Sequence, residues 1–204
     1  MTATLRVIKA GLQTTLQGAP FAGHRHLGMP AAGAADCLSL ALANHLVGND
    51  VADIAIELTL DYAKFVAGDR FSIALVGASD FLRVNGEERS LHRCIPVNPG
   101  DEIHIGPATK GCRSYLAIGG RLSAQTLLGG QSTYLTASLG GFRGRALQKG
   151  DCLQIASHDK SIAETGTPTN LRPTMTSQFL LRITPGPEFA LLCNESQSRL
   201  AGQQ

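Results

Sequence analysis

The stretch that decides the fold is Leu27–Leu60, LGMPAAGAADCLSLALANHLVGNDVADIAIELTL. It holds a loop of small residues, one apolar helix and a strand that carries a single glutamate. Leucines recur every four residues after Asp36, which predicts a helix over Cys37–Val47. The Asp36 carboxylate can accept hydrogen bonds from the first free N–H groups of that helix, so it is predicted to be the N-cap. The segment therefore predicts a capped helix followed by a strand.

The two elements in this stretch have recognisable faces. Leu38, Leu42 and Leu46 are predicted to form the packed face of the helix. In residues 54–61 apolar side chains alternate with others, as in a half-buried strand. That alternation places Glu57 on the polar side, where its carboxylate is either solvated, bonded to a loop, or an acid of a functional site.

Turn signals elsewhere predict further strands. Gly68-Asp69, Gly100-Asp101 and Gly150-Asp151 each precede alternating apolar residues. In this pattern Gly supplies a positive φ and Asp bonds the nearby backbone. Asn85-Gly86 predicts a tight hairpin between Phe81–Val84 and Glu87–His92. Other predicted strands are Leu5–Ile8, Phe71–Val76 and Cys112–Ile118. The sequence thus predicts a mostly antiparallel β fold with one clear helix.

Composition shifts predict three regions. Residues 1–156 carry the strand and helix patterns and are predicted to form one domain. Residues 157–176 are polar and rich in Pro and Thr, which is typical of a linker. Apolar residues return at Phe179–Thr184 as a predicted strand, so residues 177–204 are expected to begin a second unit.

Charge and composition exclude several classes of function. The net charge of +2 is too small to favour a nucleic-acid or membrane-surface partner. No apolar run approaches the roughly 20 residues of a membrane span, and the N-terminus lacks the apolar core of a signal peptide. We therefore expect a cytoplasmic protein. The five cysteines include no CxxC pair, so buried free thiols are expected rather than a disulfide framework.

His24-Arg25-His26 invites a metal interpretation, because Gly18 and a His-x-His at this spacing open the cupin metal motif. That motif expects a Glu three or four residues later, where this chain has Pro30 and Ala31. A third ligand is therefore missing, and we predict no metal site.

Several short motifs follow one another in an order that resembles the allophanate hydrolase subunit 2 family. The family includes one of the subunits of bacterial 5-oxoprolinase, the antagonist of a sporulation kinase inhibitor, and part of the carboxyltransferase region of urea carboxylase. The motifs are Gly11–Gln17, His26–Pro30, Gly33–Asp36, Ala43–Asn49, Glu57–Leu60, Gly111–Ala117, Leu128–Leu135, Leu139–Leu147 and Leu181–Pro187.

The resemblance implies a fold and a partner. Residues 1–156 would form a cyclophilin-like β-barrel, and residues 177–204 the truncated start of a second barrel. A partner subunit of related cyclophilin-like fold, of the allophanate hydrolase subunit 1 type, would complete the site. Three positions depart from the family, which usually has Asp at Gly18 and Arg at Phe21 and Gln131. These losses favour a non-catalytic module that binds a partner over an active enzyme.

The resemblance implies a reaction that opens an amide or lactam. Such a reaction needs acidic groups for proton transfer and hydrogen-bond donors for the negative charge that develops. The candidates that lie in the resembling motifs are, for catalysis, Gln17, Asp36, Glu57, Arg113 and Arg145 and, for cofactor binding, Gly129, Gly130, Ser132, Thr133 and Tyr134. Structural roles compete at each of them: Asp36 can be only a cap, and the two arginines can sit in structural ion pairs.

The resemblance implies two activities. The first is an ATP-dependent, 5-oxoprolinase-like hydrolase that acts on a small amide or lactam with its partner subunit. The second is a biotin-dependent carboxyltransferase of the urea carboxylase type, with biotin carried on a partner chain. The chain has no GxxxxGK[ST] loop, so ATP would bind through the complex and not through a P-loop.

Overall fold

The computed structural model describes residues 2–156, 166–174, 176, 178, 180 and 182–202. Its strands are β1 Thr2–Lys9, β2 Gln13–Gln17, β3 Ala55–Thr59, β4 Ala63–Ala67, β5 Phe71–Gly77, β6 Leu82–Val84, β7 Glu87–Arg89, β8 Ile95–Val97, β9 Glu102–Ile105, β10 Arg113–Ile118, β11 Arg121–Leu122 and β12 Cys152–Ala156. The α-helices are α1 Cys37–Leu46 and α2 Asn194–Gly202, and 3-10 turns occupy Arg25–Leu27, Leu135–Ala137, Thr169–Leu171 and Pro187–Leu191.

The strands form two antiparallel sheets. The seven-stranded sheet has the order β11-β12-β1-β4-β9-β6-β7, and the five-stranded sheet has the order β2-β3-β10-β5-β8. The prediction of a mostly β fold is therefore confirmed. The pairings among the described residues leave both sheets open, so the strands make two packed sheets and not one closed barrel.

The main core lies between the two sheets. Leu5 and Phe65 of the larger sheet share one buried cluster with Leu16, Ile56 and Leu116 of the smaller sheet. The opposite face of the smaller sheet carries a second apolar cluster, formed mainly with α1. The smaller sheet is thus covered on both faces, which explains why every residue of β3 is buried.

Helix α1 begins as predicted. Asp36 Oδ1 accepts a hydrogen bond from the Ser39 N–H at 3.0 Å, and Ser39 Oγ donates to Oδ2 at 2.5 Å. The predicted packed face is wrong at Leu38, which is 57% exposed. The prediction holds for Leu46, which is buried together with Leu40 and Ala43. Leu42 is partly buried against the same cluster.

The turn predictions hold with one exception. Asn85 and Gly86 have φ of 54° and 84°, as a type I′ hairpin requires. The second hairpin strand ends earlier than predicted, at Arg89. Gly100 and Gly150 adopt left-handed backbone, whereas Gly68 does not. Glycine is needed at position 68 for another reason, because a Cβ there would overlap the Thr4 hydroxyl.

The described residues after 166 contain 3-10 turns and α2, a helix that the sequence patterns did not reveal. Gly166 forms an isolated antiparallel bridge with Arg93. In the predicted strand Phe179–Thr184, the described residues 180 and 182–184 carry no strand, and the others lie outside the described residues. The boundaries at 156 and 176 and the second barrel stay predictions.

Two smaller expectations concern cysteines and membranes. Cys94 is buried, but Cys37, Cys112, Cys152 and Cys193 are exposed, so the expectation of buried thiols is wrong for four of five. Thiols are small enough to tolerate both environments. Among the described helices, none has the length and apolar character needed to cross a membrane.

Candidate functional site

A polar face lies on the side of the five-stranded sheet that does not join the main core. In register across β2, β3 and β10 stand Thr15, Glu57 and Tyr115. Because alternate residues of a strand point the same way, their neighbours two positions along share this face. We call it the polar face, and its members are Thr15, Gln17, Glu57, Thr59, Arg113 and Tyr115.

Glu57 is the centre of the polar face and is only 5% exposed. Its Oε2 accepts hydrogen bonds from the Tyr115 hydroxyl at 2.7 Å and from the Ala35 N–H at 3.0 Å. Its Oε1 has a longer contact, 3.6 Å from Arg113 Nε. The solvated interpretation of this carboxylate is therefore wrong and the loop-bonded one is correct. One oxygen is fixed, while the other keeps acceptor capacity.

Tyr115 connects the polar face to α1. Its hydroxyl donates to Glu57 and accepts from the Asp36 N–H at 2.8 Å. Burial, and then the hydrogen bond to Glu57, raise the pKa of Tyr115 far above its usual range, so it stays a donor at neutral pH. The sequence patterns did not single out this residue. Its place two positions after Arg113 on one strand was the signal, because that spacing puts both side chains on one face.

Buried polar atoms without a hydrogen-bond partner concentrate on this face. Among the described residues five such side-chain atoms occur, and three of them are Gln17 Oε1, Thr59 Oγ1 and Arg113 Nε. An unsatisfied buried polar group costs about 1–3 kcal/mol. Arg113 keeps 30% of its side chain exposed, so the face reaches solvent at that end. Such a concentration is typical of a site that binds a polar group.

Gln17 is held by residues of the segment Leu128–Leu135, which we call the glycine-rich loop. Its Nε2 donates to the Thr133 carbonyl at 3.2 Å and to Thr15 Oγ1 at 3.0 Å. Ser132 Oγ bonds both the N–H and the carbonyl of Gly18, and Thr133 Oγ1 donates to the Leu16 carbonyl. The predicted cofactor-binding residues Ser132 and Thr133 thus use their hydroxyls to fasten the end of β2.

The rest of that loop is folded tightly against the β2 end. Gly130 lies where a Cβ would come within 2.6 Å of Phe21 Cδ1. Gly129 has left-handed backbone, and Tyr134 bridges to Leu139. Phe21, which stands where the resemblance implies arginine, is fully buried and packs against Gly130.

Gly18 is the other departure next to Gln17. A Cβ at Gly18 would lie 3.1 Å from Ile54 Cα and 3.2 Å from the Ala52 carbonyl oxygen. There is therefore little room in this structure for the aspartate that the resemblance implies at this position. Gln131, the third departure, donates to Thr126 Oγ1 at 2.9 Å.

Arg145 occupies a different environment. Its Nη1 and Nη2 donate to Asp151 Oδ2 and Oδ1 at 2.7 and 2.8 Å, and Nη1 also donates to the Ala146 carbonyl. The pKa of Asp151 is lowered chiefly by the Arg145 hydrogen bonds, and that of Arg145 is raised by the same contact. Among the described contacts none joins Arg145 to the polar face. Its geometry is that of a structural ion pair.

The five predicted catalytic residues thus fall into three groups. Gln17, Glu57 and Arg113 lie on the polar face. Asp36 joins them only through its backbone N–H, since its carboxylate caps α1. Arg145 is committed to Asp151.

The histidine pair is not part of this face. His24 precedes the 3-10 turn Arg25–Leu27, and His26 lies within it. Within the described ranges, no group of three His, Cys, Asp or Glu side chains is placed to hold a metal ion.

Comparison with known proteins places this geometry in a family. Residues 27–204 match the family described as carboxyltransferase domain, subdomain A and B. The chain is 32% identical over 190 residues to urea amidolyase of Saccharomyces cerevisiae, which covers 90% of this chain and 10% of that protein. It is 32% identical over 185 residues to a 5-oxoprolinase subunit of Escherichia coli, which covers 91% of this chain and 58% of that protein.

A solved structure agrees with the sequence relatives. The crystal structure of Kluyveromyces lactis urea carboxylase superimposes with a TM-score of 0.80 at 30% identity, over 85% of this chain and 16% of that chain. The chain therefore spans only part of the length of each relative. The resemblance seen in the motifs is confirmed, and the chain belongs to the carboxyltransferase domain family, subdomain A and B.

Proposed function

We propose that this chain supplies one side of a site for a small amide or lactam in an ATP-dependent, 5-oxoprolinase-like complex with a subunit of related fold. The observation that carries the proposal is the polar face, where Glu57 shares one side of the sheet with three buried polar atoms that have no hydrogen-bond partner among the described residues. These atoms include both acceptors and a donor. An amide presents the complementary set, an N–H and a carbonyl.

The polar face offers a distinct partner for each part of 5-oxoproline. The Glu57 Oε1 and Gln17 Oε1 acceptors suit the ring N–H, since neither accepts a hydrogen bond from another described residue. The Arg113 guanidinium suits a carboxylate or the lactam oxygen, because a charged donor stabilises developing negative charge. Glu57 would accept or return the proton on the amide nitrogen, and Tyr115 holds its other oxygen in place.

The glycine-rich loop has a supporting role in this proposal. The N–H groups of Gly130, Thr133 and Tyr134 donate to the carbonyls of Leu127, Leu16 and Leu139. With the Ser132 and Thr133 hydroxyls also bonded to backbone, few donors remain for nucleotide phosphates. The loop would thus orient Gln17, while ATP binds elsewhere in the complex.

Biotin-dependent carboxyl transfer to urea is the second candidate. It is favoured by the similarity to urea amidolyase over 90% of the chain and by the fit to urea carboxylase. Urea also presents N–H groups beside a carbonyl, so the same face serves. We place it second because the chain covers 58% of the Escherichia coli 5-oxoprolinase subunit but only 10% of urea amidolyase.

The test is turnover of a reconstituted complex. The chain is coexpressed with candidate subunits of related fold, and ATP hydrolysis is followed with and without 5-oxoproline. A parallel reaction contains urea, biotin carboxylase and a biotin carrier. We expect lactam-dependent ATP hydrolysis that falls about 100-fold or more in Glu57→Gln. The matched control is Glu88→Gln, whose side chain is 69% exposed.

The outcomes separate the candidates. Urea-dependent turnover without lactam-dependent turnover selects carboxyl transfer. A stable complex that turns over neither substrate rejects both activities and favours a non-catalytic partner-binding role. Equal turnover of Glu57→Gln and Glu88→Gln removes Glu57 from the site.

A further inference from the structure

A second place in the molecule has the character of a binding site. Between β7 and β8 the chain lines an open surface cavity of about 320 Å³, within the size range of small-molecule sites. Its lining combines basic, polar and apolar residues, namely Arg89, Ser90, Arg93, Cys94, Ile95 and Pro96. None of these residues belongs to the polar face.

The two arginines of the cavity are only partly paired with nearby acids. Arg89 Nη2 donates to Glu87 Oε2 at 2.8 Å, which leaves its other N–H groups available. Arg93 enters none of the ion pairs formed by the described residues. A third guanidinium, Arg172, is close enough to act electrostatically on His92, the residue before Arg93.

The backbone beside the cavity is fixed in an unusual conformation. His92 has a φ of 58° although it is not glycine, is 7% exposed, and has a buried Nδ1 without a hydrogen-bond partner. Its N–H donates to the Leu75 carbonyl, and its carbonyl accepts from the Thr167 N–H, both at 3.0 Å. Strained residues persist where the surroundings hold them, and they cluster at functional sites.

The charge near the cavity comes from arginine and not from histidine at neutral pH. Burial, and then the positive charge of Arg172, lower the pKa of His92. The imidazole is therefore neutral at pH 7. The guanidiniums stay charged at all ordinary pH values.

We propose that this cavity binds a phosphate-bearing small molecule, with the phosphate on Arg89 and Arg93 and the remainder against Ile95 and Pro96. Arg93 supplies a positive charge that no described acid pairs, and Arg89 supplies the N–H groups that Glu87 leaves free; the planar donors of both guanidiniums fit the oxygens of a phosphate. The proposal is independent of lactam chemistry, because it uses other residues.

The test is calorimetric titration of the full 204-residue chain. The probes are inorganic phosphate, ADP and, as a phosphate-free control, adenosine. We expect phosphate or ADP to bind and adenosine to show no binding. Arg93→Gln should weaken binding at least tenfold, because it removes a charge-assisted contact. The matched control, Arg199→Gln on the surface of α2, should bind like the unaltered chain, since that side chain is 75% exposed.

Further arms make the result decisive. Tighter binding of ADP than of phosphate identifies an organic phosphate, and equal affinities identify the free ion. Arg93→Lys keeps the charge but loses the planar donors, so it should bind between the unaltered chain and Arg93→Gln. If no probe binds at millimolar concentration, or if folded Arg93→Gln and Arg89→Gln both bind like the unaltered chain, the proposal is overturned.

Discussion

Two pairs of an acid and an arginine differ in how completely they are satisfied. Asp151 and Arg145 make two short parallel hydrogen bonds at 2.7 and 2.8 Å. Glu57 and Arg113 approach only to 3.6 Å, and Arg113 Nε is left without a hydrogen bond. Yet Glu57 is the more buried of the two acids, since its side chain is 6% exposed against 11% for Asp151.

The two pairs differ in how much hydrogen-bonding capacity they keep for a third group. In the bidentate pair of Arg145 and Asp151, the donors and acceptors bond each other, so the interaction stabilises the fold. The looser pair is buried but keeps capacity for a third group, as a binding site requires. Burial of an ionisable group alone is therefore a weaker indication of a binding site here than burial with unmet hydrogen bonds.

The largest difference between the two pairs is expected when each arginine is replaced and turnover of the complex is measured. Arg113→Gln should lower lactam-dependent turnover by about 100-fold, because a charged donor to the reacting amide is lost. Arg145→Gln should lower it only in proportion to the folded fraction. A larger loss of turnover per folded molecule in Arg145→Gln would reverse the assignment of the two pairs.

The same arginines should differ in the opposite sense for stability. Arg145→Met should reduce the free energy of unfolding by about 1–3 kcal/mol, because Asp151 loses two charge-assisted hydrogen bonds. Arg113→Met should cost less than about 1 kcal/mol, since the one hydrogen bond lost is the long contact of 3.4 Å from Arg113 Nη1 to the Cys112 carbonyl. Urea denaturation at pH 7 measures both values. Equal losses would show that the 3.6 Å contact is stronger than its geometry indicates.

Tyr115→Phe tests how much the hydrogen bond to Glu57 contributes to stability. The change removes one hydroxyl that serves both Glu57 and the Asp36 N–H. We expect a loss of about 1–2 kcal/mol in unfolding free energy. Tyr134→Phe, on a residue with no hydroxyl hydrogen bond among the described contacts, is the control. An unchanged stability of Tyr115→Phe would mean that the Oε2 contacts do not constrain the carboxylate.

The smallest expected effect is in the pH dependence of stability. The pKa of Asp151 is lowered in the folded state by Arg145, so the folded state binds this proton less readily than the unfolded state. The pair's contribution is fully present above the ordinary Asp pKa of about 4 and is lost as pH falls through the lowered value. Unfolding free energies at pH 7, 5, 4 and 3 should fall less steeply at the acid end in Arg145→Met. Parallel curves would contradict this.

Local patterns predicted much of the fold. The Asp36 cap, the Asn85-Gly86 hairpin and the apolar strand that ends at Gly77 depend on neighbours in sequence, so they could be predicted from it. The packed face of α1 could not, because Leu38 and Leu40 are equally apolar and only the sheet beneath selects one. Helix α2 was missed, since its mostly polar sequence shows no strong apolar stripe.

The candidate site was predicted in part. Gln17, Glu57 and Arg113 were identified through motif order, and the structure brings them to one face. Tyr115 was missed, because its spacing of two residues from Arg113 indicates a shared face but does not separate a core tyrosine from a carboxylate partner. Arg145 was predicted to be catalytic, but its side chain is paired with Asp151. Ser132 and Thr133 were predicted to bind a cofactor, but their hydroxyls are hydrogen-bonded to backbone carbonyls.

By itself, the sequence determined the family, the mostly β character and the helix that begins at Asp36, because turn residues, alternation and caps act over a few neighbouring residues. Only the tertiary structure decided which polar groups stay unmet. Hydrogen bonds between β2, β3, β10 and the glycine-rich loop join residues up to 117 positions apart. These distant partners decide whether an arginine forms a close ion pair or keeps free hydrogen-bond donors. No local sequence pattern contains that information.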